Sequence, residues 1–141
     1  MHGDPVQAFD KAFELAARLA EVMRHALAER DLTPSRAEVI YVLAREGAVM
    51  QRALAEALRC TPRHVTGLVD QLQDAGLVER RPHPDDRRAT SVALTTKGAA
   101  TARWITESRH TAASALLGDV PGDDLAAFVR VADLILRQIA P

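Results

Sequence analysis

The chain has 141 residues and a formal net charge of −1, which suits one domain and excludes a protein that coats nucleic acid through bulk charge. Hydrophobic residues make up 48% of it but aromatics only 4%, so helices packed through small and aliphatic side chains are expected. The single cysteine, Cys60, excludes an internal disulfide and a four-cysteine metal site, and suits a reducing, cytoplasmic setting.

The start of the chain, "MHGDPVQAFDK", lacks the basic residues and apolar run of a signal peptide, and no stretch approaches the roughly 20 apolar residues of a membrane span. From Val6 to Leu27, apolar residues Val6, Phe9, Phe13, Ala16, Ala20, Met23 and Leu27 recur every three or four positions. That spacing predicts an amphipathic helix with a narrow seam, suited to packing on another helix or on the domain's own core. "LTPSRAEVIYVLAREG" reads as a short helix capped by Thr33 or Ser35 and stopped at Gly47.

"QRALAEALRC" is a further helix, and "TPRHVTGLVDQLQDAG" follows it after a very short turn, with Thr61 as N-cap, Pro62 in the first turn and Gly76 as the stop. The pair is a helix-turn-helix candidate. On its second helix Val65, Leu68, Val69 and Leu72 form the buried stripe, which leaves Arg63, His64, Thr66, Gly67 and Asp70 facing outward. The period then shortens to two: "LVERR" and "TSVAL" read as the strands of a hairpin joined by "PHPDDRRA". A helix through Ala102, Ile105 and Leu116 follows, capped by Thr95 or Thr96. A last one, started by Pro121, Gly122 and Asp123, carries Leu125, Phe128, Ala132, Ile135 and Ile139 on its seam.

Helix, turn, helix and hairpin in this order make a winged helix-turn-helix, and each piece suits duplex DNA. A helix fits the major groove, where Thr61, Pro62, Arg63, His64 and Thr66 on the recognition helix can meet base edges and phosphates. The hairpin tip would lie over the narrow, electronegative minor groove, which favours an inserted arginine. Arg88, or else Arg87, is expected to fill that role, with Asp86 holding it and Arg80 at the base of the wing. Charge is distributed to match: residues 51–97 carry a net of +2 and the remainder −3.

Residues 54–98 resemble the MarR family of bacterial transcription regulators. The resemblance rests on Val65-Thr66, Leu68-Val69-Asp70 and Leu72, on Gly76-Leu77-Val78 and Arg80, on Asp86-Arg87-Arg88 at the tip, and on Leu94-Thr95 with Gly98. It implies a mainly α fold with a small β-hairpin wing, in which residues 33–98 bind DNA and residues 1–32 and 99–141 form helical dimerisation elements. Val6, Phe9, Phe13, Leu125, Phe128, Ile135 and Ile139 would then lie in a homodimer interface, and the protein would act on a pseudo-palindromic double-stranded operator, as a repressor. There are departures from the pattern. Arg59 stands where the family often has a glycine, and Pro62, Arg63 and His64 replace small hydroxyl residues.

The resemblance also implies sensing of small aromatic or phenolic acids, of oxidants or of metals. Cys60 occupies a position that is apolar in the family pattern, which suits a structural thiol. His2, His25, His64, His83 and His110 are scattered without the spacing of metal ligands, so neither a metal nor a cofactor is expected. An organic effector would bind beside the dimer helices, with Arg24, His25, Arg103 and Trp104 as its candidate contacts. Two other readings stand beside this one: a winged helix that docks protein, and a DNA-binding member that senses no small ligand. An enzyme is not expected, since no nucleophile motif, HExxH or glycine-rich phosphate loop is present.

Overall fold

Four of the described helices begin at a residue whose side chain accepts a backbone N–H that the helix leaves unpaired. In the computed structural model, which describes residues 3–86 and 88–140, α1 spans Pro5–Ala28 and is capped by Asp4, which accepts from the Val6 N–H at 3.0 Å. Helix α2 spans Pro34–Glu46 with Thr33 as its cap, and α4 spans Pro62–Asp74 with Thr61 as its cap. These three place proline in the first turn, where its missing N–H costs nothing. Helices α3 (Gln51–Leu58), α5 (Thr96–Leu117) and α6 (Gly122–Ile139) complete the set among the described residues. At the start of α5 the Thr95 hydroxyl accepts from the Gly98 N–H at 3.0 Å, so Thr95 serves as the cap.

The two strands expected from alternation are present as β2 (Val78–Pro82) and β3 (Thr90–Leu94), paired antiparallel with Arg80 opposite Val92. A third strand, which no alternation predicts, completes the sheet. Val49 and Met50 form β1, which pairs with the far edge of β3 and gives the order β1-β3-β2. Two residues are too few to display alternation, so only the pairing itself reveals the strand.

The chain divides into two compact units, Met1–Arg103 and Trp104–Pro141. Every buried residue among those described lies in the first, between Leu27 and Ala102. Its centre is formed by Val39 and Ile40 of α2, Leu54 of α3, Val65, Val69 and Leu72 of α4, and Val78 and Val92 of the sheet, all at most 2% exposed. The four valines and leucines expected on the inner stripe of α4 are its buried residues. Gly98 seats α5 on this core: a Cβ there would fall 1.9 Å from the Leu77 carbonyl oxygen, so no larger residue fits without moving backbone.

The terminal helices are different. Helix α1 buries only Leu27, and leaves Val6, Phe9 and Phe13 about two-thirds exposed, with the two phenylalanine rings 4.8 Å apart. In the second unit α6 buries nothing; Phe128, Ile135 and Ile139 are exposed and Leu125 is half-buried. None of the described helices is long and apolar enough to cross a membrane.

Candidate nucleic-acid interface

The turn between α3 and α4 is made by Arg59, Cys60 and Thr61. Arg59 takes a left-handed conformation, φ 52° and ψ 44°, as the C-cap of α3, and its N–H returns to the carbonyls of Ala55 and Glu56. This is the position where the resemblance predicts glycine, and the backbone explains why: a Cβ is disfavoured there by about 1–2 kcal/mol. Cys60 is a half-buried free thiol, and its N–H donates to the Ala55 carbonyl at 3.1 Å.

Helix α4 presents Arg63, His64, Thr66, Gly67 and Asp70 to solvent, as its pattern predicts. Thr61, Arg63, His64, Gly67, Leu68 and Gln71 line a shallow depression of about 390 Å³ on its surface. Thr61 and Pro62 are also exposed, at the helix N-terminus, where backbone N–H groups and the helix dipole favour anions. Thr66 is engaged within the chain: its hydroxyl donates to the Pro62 carbonyl at 2.9 Å and accepts from Gln51 Nε2 at 3.0 Å.

Arg80 does not project from the wing. Its Nε donates to Gln51 Oε1 at 3.2 Å, its Nη1 to Gln73 Oε1 at 2.7 Å and its Nη2 to the Thr66 carbonyl at 3.4 Å, while Nη2 lies 2.6 Å from Asp70 Oδ1. One guanidinium thus ties β2 to α4 and to the start of α3. On the opposite flank of α4, Arg36 of α2 donates to Gln71 Oε1 at 3.0 Å and to the Asp31 carbonyl at 3.3 Å. Gln51, Gln71, Gln73 and Arg36 had no sequence signal, because their partners lie 7 to 35 residues away.

The wing tip is folded by its own polar groups. The Asp86 carboxylate accepts from the Arg88 backbone N–H at 2.9 Å, its carbonyl accepts from the Ala89 N–H at 3.0 Å, and His83 Nδ1 accepts from the Asp85 N–H at 3.2 Å. A short aspartate side chain reaches the N–H two residues on, so Asp86 shapes the backbone of Arg88, where the motif alone predicts a hold on the arginine side chain. Arg88 is exposed, and Arg87 lies outside the described residues. Along β2 Arg81 pairs with Glu79. Of the proposed effector contacts, Arg24, His25 and Arg103 are exposed and Trp104 is half-buried. Among the described residues no three His, Cys, Asp or Glu side chains gather as a metal would require.

Residues 32–90, which hold the helix-turn-helix and most of the wing, match the model of the MarR family. The HTH-type transcriptional repressor YetL of Bacillus subtilis is 27% identical over 137 residues, covering 96% of this chain and 82% of YetL. An HTH-type transcriptional regulator of Mycobacterium leprae is 31% identical over 122 residues, which is 86% of this chain and 85% of that protein. Among solved structures, Streptococcus pneumoniae FabT in complex with DNA shares the fold with a TM-score of 0.89, at 16% identity, over 96% of this chain and 97% of FabT. With its winged helix-turn-helix in place and these relatives in sequence and fold, the chain belongs to the MarR family, whose proteins are transcription regulators and not enzymes.

Proposed function

We propose that the protein is a homodimeric repressor that reads a pseudo-palindromic duplex with two winged helices, one from each copy. The observation that carries this reading is the polar, outward face of α4, with Arg63 and His64 on its first turn, beside a wing whose tip exposes Arg88. FabT, of the same fold, is solved with DNA, and YetL is named a repressor, which supports both parts of the reading. A winged helix that docks protein would be expected to show an apolar face here; the face of α4 carries Arg63, His64, Thr66 and Asp70.

The dimer rests on the terminal helices. Val6, Phe9 and Phe13 on α1, and Phe128, Ile135 and Ile139 on α6, are large apolar side chains that one copy leaves in water, with Leu125 half-covered among the latter. Contiguous exposed apolar stripes of this kind are covered by a partner in stable proteins. In this reading residues 1–32 and 99–141 make the dimer and residues 33–98 engage DNA in the cytoplasm. Release from DNA by a small aromatic or phenolic acid is a further part of this reading, and the family resemblance supports it.

The test is equilibrium binding of wild-type protein to duplexes selected by it from a random-sequence pool, against scrambled duplexes, over a range of salt. The expected result is selectivity of about a thousandfold or more, with affinity falling steeply as salt rises. Equal, weak binding to selected and scrambled duplexes would refute the reading.

A further inference from the structure

Gly67 sits in the middle of α4, where glycine is an expensive choice. It has no left-handed φ to explain it, and a Cβ built on it would meet nothing within 4 Å. Two other glycines have reasons inside the chain: Gly76 has φ 74°, and Gly98 would clash with the Leu77 backbone. A glycine at an exposed helical position that any side chain could fill lowers stability relative to alanine and gains no internal contact in return. The reason for Gly67 therefore lies outside the chain.

Its surroundings say what that reason is. Arg63, Gly67 and Gln71 are spaced by four residues and share one line along the helix, in the depression whose lining also includes His64 and Leu68. The flanks of the bare segment are held from other elements, Gln71 by Arg36 on one side and Asp70 with Gln73 by Arg80 on the other. Between these fixed polar walls the helix surface is stripped to Cα hydrogens. The backbone N–H and carbonyl of a mid-helix residue are spent on the helix's own ladder, so this floor offers shape and apolar contact and no hydrogen bond. In the major groove the group that matches such a floor is the C5 methyl of thymine.

We propose that Gly67 is a specificity-determining residue, the seat for one thymine methyl in each half-site of the operator. This rests on the DNA-binding reading above and adds to it a named base feature. The seat admits one methyl group, supplied either by the base or by the residue at 67, and never both.

The experiment is a two-by-two cycle: wild type and Gly67→Ala, each on a wild-type-selected duplex and on duplexes in which single thymine positions are replaced by uracil in both half-sites. Gly67→Ala should melt about 2–5 °C higher than wild type, because it removes a helix-interior glycine. On the thymine duplex it should bind about tenfold or more weakly. At one thymine position uracil should weaken wild type by about fourfold, the worth of a buried methyl, and should strengthen the binding of Gly67→Ala. Affinity of Gly67→Ala for the thymine duplex within twofold of wild type would overturn the proposal, as would a lowered melting temperature or the absence of any position with this reversal of sign. Failure of wild type to select any duplex would overturn the DNA-binding reading as well, which separates the two failures.

Discussion

The guanidinium of Arg80 and the carboxylate of Asp70 meet at 2.6 Å, and through that contact the wing is fastened to the outer face of the recognition helix. Asp70 alone would set a negative charge on the face proposed to meet DNA; Arg80 neutralises it and orients Gln51 and Gln73 in the same step. Arg80→Ala should therefore lower stability by about 1–2 kcal/mol, a value discounted because the Asp70 side chain is 58% exposed. Arg80→Lys should recover little, since an ammonium cannot serve four acceptors spread around a planar fork. Chemical denaturation of the three proteins checks this, and full recovery by lysine would show that charge alone matters.

Arg59 is the converse of a glycine cap. Replacing it with glycine should raise stability by about 1 kcal/mol by relieving the left-handed strain at φ 52°. The midpoint of urea unfolding reads this directly; an unchanged midpoint would mean that other contacts of Arg59 offset the strain.

Arg88→Ala should weaken operator binding by about 1–3 kcal/mol and leave the assembly state unchanged. Asp86→Ala should weaken binding too, because the turn that presents Arg88 hangs on its carboxylate. Fluorescence anisotropy on a labelled duplex measures both, and wild-type affinity for Arg88→Ala would remove the wing tip from the interface.

Ile135→Glu sets a charge in the stripe of α6 that a single copy leaves in water. Monomers or unfolded protein are expected, because an unpaired carboxylate in an apolar interface is costly. Sedimentation equilibrium decides it, and a stable dimer would contradict the interface.

Much of this architecture was legible in the sequence for specific reasons. Thr33, Thr61 and Thr95 cap helices because a hydroxyl before an apolar stripe satisfies a free N–H, and Val65, Leu68, Val69 and Leu72 announced the buried side of α4 by spacing. What could not be read is long-range. Arg80 counted as a wing cation until its partners at positions 51, 66, 70 and 73 were brought around it, and nothing local distinguishes a cation aimed at DNA from one aimed inward. The Asp86 carboxylate takes the Arg88 backbone N–H, and the choice between a side chain and a backbone N–H depends on the turn it sits in, which no local motif specifies. Val49 and Met50 gave no sign of being a strand until β3 lay beside them.

That two-residue strand constrains how the protein can be controlled. Because β1 leads directly into α3 and is stitched to β3, the wing cannot swing without dragging the front of the helix-turn-helix along, and Arg80 closes the loop from the other edge. The winged helix is thus a fixed jaw. In the proposed dimer the adjustable quantity is the gap between two such jaws, as in a pair of callipers, so a signal would be expressed as a change of span, and a mutation that alters induction without altering affinity belongs in the arms.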